Sequence, residues 1–231
     1  MPTVLVTGAN RGLGLEFCRQ YAAAGWKVFA CCRKPDAARD LLATAAIFPT
    51  ISIHDLDLRH FADIDALACK LAEESIDILL SNAGVYGDTG QTGFGCMDYQ
   101  RWQDTLLINT QAPVKLAEAL LPQVARSRQR LIVAITSLMG SMGDNSSGGS
   151  IMYRSSKAAL NAAMKSLSID LKDRGIGVLI LHPGWVRTDM GGPQAPTSPE
   201  ESVAGMRGVM DRFTPAASGR FINFRGEELP W

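Results

Sequence analysis

The opening of the chain restricts its fold more than any other stretch. An apolar, β-branched run, Thr3–Thr7, passes directly into Gly8-Ala9-Asn10-Arg11-Gly12-Leu13-Gly14, and helical periodicity starts at Leu13. Strand, glycine turn and helix in that order begin a βα unit. The glycines let backbone N–H groups at the helix start approach a phosphate with no Cβ in the way. The spacing GxxxGxG departs from the GxGxxG fingerprint, so its weight comes from its place at the head of a βαβ unit.

The same rhythm continues along the chain. Lys27–Cys31, Ile51–His54, Ile76–Leu80, Arg130–Ile135 and Gly177–Leu181 read as strands, and residues 13–24, 37–45, 61–73, 103–126 and 153–173 as helices. Strands apolar on both faces and separated by crossover helices predict an α/β fold, a single-domain Rossmann-like doubly wound parallel sheet with helices on both faces, over residues 1–231. Three Gly-rich stretches, Gly87–Gly95, Gly140–Ser150 and Gly191–Pro199, each follow a strand. They fall outside the carboxyl ends of the strands, where open α/β sheets bind ligands. Loops at about 87–98, 139–152 and 185–213 are therefore the expected substrate region.

Composition excludes several other readings. With 23 Lys plus Arg against 23 Asp plus Glu and no block of five like charges, the chain has no footprint for nucleic acid or an anionic membrane. Its longest apolar runs fall far short of the ~20 residues that span a bilayer, and the first residues lack a signal-peptide pattern. A cytoplasmic protein with small-molecule partners is expected. Five cysteines with no CxxC spacing and three scattered histidines argue against a disulfide frame or a metal site. Adjacent Cys31 and Cys32 end an apolar run and read as small buried residues.

A second constellation is Tyr153-Arg154-Ser155-Ser156-Lys157. Residues i and i+4 share a helix face, so the phenol and the ammonium can serve one site. A phenol with a reference pKa of ~10 becomes a usable acid-base group at neutral pH when a nearby cation stabilises its phenolate. The pair follows a Gly-rich loop that itself follows the Ile132–Ile135 strand.

With both motifs in view, the chain resembles the short-chain dehydrogenase/reductase family. Thr7, Gly8, Gly12 and Gly14 match its TGxxxGxG turn, Asn82-Ala83-Gly84 its Asn-Ala-Gly after the fourth strand, and Asn109 its helix asparagine. Ser137, the Tyr153/Lys157 pair, and Pro183-Gly184 with Thr188 complete six motifs in order. The ending, from Phe221-Ile222-Asn223 to Leu229-Pro230-Trp231, looks like the sniffer-type and C-factor-like carbonyl reductases of that family. The resemblance implies hydride transfer between a nicotinamide and a carbonyl or alcohol. Tyr153 would be the acid-base group, Ser137 would bind the same oxygen, Lys157 would lower the tyrosine pKa and hold the ribose, and Asn109 would order a water. Asn10, Arg11, Leu13, Asp57, Leu58 and Val186 join the motif residues as implied cofactor contacts.

Two departures from the family pattern matter. The interval from Ser137 to Tyr153 is extended, which leaves Ser141 as a rival serine, and the chain after Thr188 is short. Ser137, Asp170 and His182 could also suggest a hydrolase, but a GxSxG elbow is absent. A sensor or signalling protein of the same fold with little turnover is the remaining alternative.

The cofactor choice follows from the end of the second strand, Ala30-Cys31-Cys32-Arg33-Lys34. An NAD-binding unit presents an acid there to the ribose 2′-OH, whereas an NADP-binding unit presents Arg near the 2′-phosphate. Cys32 stands at the acidic position, with Arg33 after it and Arg11 in the glycine turn, so NADPH is expected over NADH. Asp36 is expected to cap the next helix. A homodimer or homotetramer is expected around residues 103–126 and 153–173, where Ala158, Ala159, Ala162 and Ala163 would allow close helix approach.

Overall fold

The computed structural model describes residues 1–231. Seven parallel strands form one sheet: β1 Thr3–Thr7, β2 Lys27–Cys32, β3 Ile51–Asp55, β4 Ile78–Ser81, β5 Leu131–Ile135, β6 Gly177–His182 and β7 Phe221–Asn223. Their order is β3-β2-β1-β4-β5-β6-β7. The order reverses between β1 and β4, so the glycine turn after β1 and the Asn82-Ala83-Gly84 turn after β4 flank the crevice where such sheets bind ligands.

Period-two alternation sends neighbouring strand residues to opposite faces, and both faces are buried. Val4 and Val6 pack with helices α1 (Gly12–Ala23), α2 (Arg39–Ile47) and α8 (Pro199–Asp211). Leu5, between them, faces the layer built by α3 (Phe61–Lys70), α5 (Ala112–Ala119) and α7 (Ile151–Asp170). This is the doubly wound arrangement expected from strands apolar on both sides. No helix is long and apolar enough to cross a membrane.

Several boundaries differ from the sequence reading, each for a local reason. The helix expected over 103–126 starts earlier, as α4 (Tyr99–Leu106), because the Asp98 side chain caps it by accepting from the Arg101 N–H at 3.0 Å. It then passes through a π-helical turn, Leu107–Gln111, into α5, and restarts as α6 (Leu121–Ala125), with Pro122 in the first turn. Asp36 caps nothing. It lies in a 3₁₀ turn, Pro35–Ala37, and α2 begins beyond it with Ala38 in the cap position. Only the first part of the stretch 185–213 is loop. Its second half is α8, whose Val203, Met206, Val209 and Met210 are buried in the core layer shared with α1. β7 extends the sheet with a strand that periodicity over three residues could not signal.

Candidate active site

The glycine turn closes onto its neighbours with almost no clearance. A Cβ on Gly14 would overlap the carbonyl oxygen of Gly8 and come within 2.7 Å of Asn82 Nδ2. Asn82 Nδ2 in turn donates to the Thr7 carbonyl at 2.9 Å, and the Thr7 hydroxyl accepts from the backbone N–H of Asn82 and of Ala83. The two turns flanking the crevice are thus bonded to each other. At the start of α1, Arg11 offers no side-chain cap and the first turn carries no acid. Its leading N–H groups are left for an anion, and the positive end of the helix dipole favours one. These residues fit the pyrophosphate of a dinucleotide. Thr188, on the loop after β6, lies across from Gly12, whose added Cβ would stand 3.5 Å from Thr188 Cγ2.

The second motif lies on the face of α7 turned to the strand ends. Tyr153, Lys157, Asn109 and Ser137 are all buried. The π-helical turn carries Asn109, whose Oδ1 accepts from the Val85 N–H at 2.8 Å while Nδ2 donates to the Val85 carbonyl and to Ser156 Oγ. A Cβ on Gly84 would stand 3.2 Å from Asn109 Oδ1 and 3.5 Å from Lys157 Nζ, so Gly84 packs closely against both groups. Lys157 Nζ donates to the Ile135 carbonyl at 2.9 Å, and burial pushes its pKa down to about 8.

The Tyr153 phenol is pushed up to about 12, first by burial, and also by the Tyr86 phenol beside it; a hydrogen bond from Ser137 pulls the other way. Lys157 Nζ donates to Ile135 and lies 5.8 Å from the centre of the tyrosine ring. Of the two rival serines, Ser137 stands by Tyr153. Ser141 donates to the main-chain oxygen of Trp231 at 3.2 Å and accepts from the Asp144 N–H.

At the adenosine end, Arg33 is exposed just beyond β2, and Cys32 is buried with an elevated pKa caused chiefly by that burial. Arg11 Nη1 forms an exposed ion pair with Asp189 Oδ2 at 2.7 Å. Such a pair contributes little and can exchange for a phosphate. The Asp57 carboxylate is held by the Arg59 guanidinium, which keeps its pKa near 2, and Leu58 beside it is buried. Asn10 and Leu13 are half-buried along the turn, Pro183 and Gly184 half-buried after β6, and Val186 buried beyond them. Cys31 and Cys32 are unpaired and buried, as read from the sequence.

The structure brings further residues to the site that sequence reasoning did not single out. Tyr86 stacks on Tyr153 with ring centroids 4.6 Å apart, and Asp88 accepts from the Tyr153 N–H at 2.8 Å. Their partners lie more than 60 positions away, beyond any periodic signal. Among the apolar residues in and beside the expected substrate loops, Met152 is wholly buried, whereas Met142, Trp185 and Met190 are largely exposed.

Comparison with known proteins agrees with this geometry. The pattern of the family described as short chain dehydrogenase matches residues 2–198. The chain is 42% identical over 166 residues to C-signal of Myxococcus xanthus, covering 72% of this chain and 99% of that one. Among solved structures, carbonyl reductase Sniffer of D. melanogaster superposes with a TM-score of 0.93 at 34% identity, covering all of both chains. The NADPH-bound carbonyl reductase from chicken fatty liver does so with a TM-score of 0.93 at 33% identity, covering 100% of this chain and 99% of that one. The likeness read from the ending of the sequence is therefore borne out over the whole fold. With the family pattern covering most of its length and relatives this similar, the chain belongs to the short-chain dehydrogenase family.

Proposed function

We propose that this chain is a cytoplasmic reductase that converts a carbonyl compound to an alcohol with NADPH, using Tyr153 as the proton donor. The observation that carries the reading is the gathering of four buried polar groups at the strand ends: Tyr153, Ser137, Lys157 and Asn109 are all buried, with Lys157 Nζ 5.8 Å from the centre of the Tyr153 ring and Asn109 bonded to Ser156 on the helix that carries both. When bound, the nicotinamide would supply the hydride. Tyr153 gives its proton to the carbonyl oxygen as negative charge develops there, and Ser137 donates a hydrogen bond to the same oxygen. Lys157 stabilises the phenolate that remains and would hold the ribose hydroxyls of the cofactor. Asn109, fixed by Val85 and Ser156, keeps the π-helical turn open beside Lys157 and orders a water that returns the proton.

The leading N–H groups of α1, Asn10 and Thr188 would take the pyrophosphate. Arg11 and Arg33 would take the 2′-phosphate, with no acid at Cys32 to oppose it. The chicken carbonyl reductase, similar along the whole chain, is NADPH-bound. Five free cysteines suit a reducing compartment. Self-association as a homodimer or homotetramer is part of this reading, since Ala162 is exposed and Ala159 and Ala163 half-buried along the outer side of α7. The test is a steady-state assay of NADPH consumption against a panel of aldehydes and ketones, with turnover expected. The likeness to C-signal favours a second reading, a signalling protein of the same fold. NADPH binding without turnover of any carbonyl would decide for it.

A further inference from the structure

The loop after β4 is fastened to the first turns of α7 at several points. Asp88 Oδ2 accepts from the Tyr153 N–H at 2.8 Å and Oδ1 from the Met152 N–H at 3.3 Å. The Tyr86 ring stacks on the Tyr153 ring at an interplanar angle of 27°, and its hydroxyl shares a 2.9 Å hydrogen bond with Ser150 Oγ. Further along, Trp102 Nε1 donates to Ser155 Oγ at 2.8 Å.

These contacts replace local ones that α7 lacks. Its cap residue, Ser150, makes no side-chain cap bond, and the first turn carries no acid of its own. A carboxylate at this end satisfies two otherwise orphaned N–H groups and complements the helix dipole. Ser150 sits in the left-handed region, at φ 45° and ψ 46°. A non-glycine residue is strained there and persists only where its surroundings hold it. Tyr86 and Asp88 are those surroundings. Because one of the two capped N–H groups belongs to Tyr153 itself, the backbone that carries the phenol is set by a loop 65 residues away in sequence.

We infer that Tyr86 and Asp88 are positioning residues for the proton donor: Asp88 locks the turn of α7 that carries Tyr153, and the Tyr86 ring covers the phenol, fixing its orientation and keeping water from it. This rests on the reading of Tyr153 as the donor. The ring and the hydroxyl of Tyr86 have separable parts in it, the ring toward Tyr153 and the hydroxyl toward Ser150.

The test compares the full-length wild type with Tyr86→Phe, Tyr86→Ala, Asp88→Asn and Asp88→Ala. The first readout is independent of turnover. The chain has only four tyrosines, so ultraviolet titration of the free protein, with Tyr153→Phe as the subtraction, isolates one phenol. Tyr86→Ala should lower the Tyr153 pKa, since it uncovers the phenol and admits water, whereas Tyr86→Phe, which keeps the ring in place and removes only the hydroxyl, should move it less. In the assay, Tyr86→Ala and Asp88→Ala should each lower kcat roughly ten-fold, the scale of a modest misplacement, with NADPH affinity near that of wild type. Tyr86→Ala alone should move the alkaline limb of kcat to lower pH, and Asp88→Asn, which keeps one acceptor oxygen, should recover part of the Asp88→Ala loss. If Tyr86→Ala does not fold, Tyr86→Leu fills the space without the aromatic face and is read in the same way. An unmoved Tyr153 pKa in the ring-deleted variant, or an equal shift in Tyr86→Phe, overturns the inference. A wild type inert toward every carbonyl overturns the reductase reading instead, and the titration still decides this one.

Discussion

The Lys157 ammonium donates to the carbonyl oxygen of Ile135 at 2.9 Å, at the end of the strand beside α7, and not to the phenol one turn before it. Burial alone lowers the lysine and chiefly burial raises the tyrosine, so the two groups are shifted in opposite senses. The Lys157 cation is held at cost by one carbonyl.

The tyrosine gives the simplest expectation. Tyr153→Phe keeps the ring stacked on Tyr86 and removes only the proton, so turnover should fall by about 10²–10⁴, the usual worth of a general acid, while NADPH affinity persists. Single-turnover kinetics with near-normal rates in this variant would exclude Tyr153 as the donor. Lys157→Ala should lower both rate and cofactor affinity.

The lysine also makes a prediction about stability. Its folded-state pKa is lowered to about 8 from 10.5. Below pH 8 both folded and unfolded chains carry the charge, and the folded chain bears the full cost of burying it. Between pH 8 and the ordinary lysine value the unfolded state binds more protons, so stability contributed by this group rises with pH. Urea unfolding of wild type and Lys157→Met, compared from pH 7 to 10, should show wild type gaining on the variant above pH 8. A difference independent of pH would mean that the ammonium is solvated.

Cofactor preference depends on charge at the end of β2. Arg33→Ala removes the exposed guanidinium proposed to take the 2′-phosphate and should weaken NADPH by roughly ten- to a hundred-fold, with NADH scarcely changed, because a hydrogen bond to a charged group contributes about 1.5–3 kcal/mol. Cys32→Asp should shift preference toward NADH by adding repulsion and an acceptor for a free ribose hydroxyl. Isothermal calorimetry giving equal wild-type affinity for both cofactors would contradict this assignment.

Gly14→Ala tests the closure of the glycine turn. The new Cβ would overlap the Gly8 carbonyl oxygen, a backbone atom that cannot swing aside. A loss of about 1–3 kcal/mol is expected, as for overpacking elsewhere. It should appear as a lower urea midpoint at an unchanged slope, together with weaker NADPH binding. A midpoint equal to that of wild type would show that the turn can open.

The sequence alone determined the doubly wound sheet, the glycine turn and the face shared by Tyr153 and Lys157, because each is local. Alternation of apolar residues, a turn needing glycines, and an i,i+4 spacing are all properties of neighbours in the chain. The break of the 103–126 helix into a π-helical turn around Asn109 was not legible, since it depends on Val85 and Ser156 taking the asparagine amide from elsewhere in the fold. Nor was the engagement of Ser141, which the return of Trp231 provides. Asp36 has the composition of a cap and fails to be one, while Asp88, on a loop after another strand, caps α7. Tertiary structure decided these because a polar side chain takes whichever partner the packed chain brings within about 3 Å, and distance along the sequence carries no record of that.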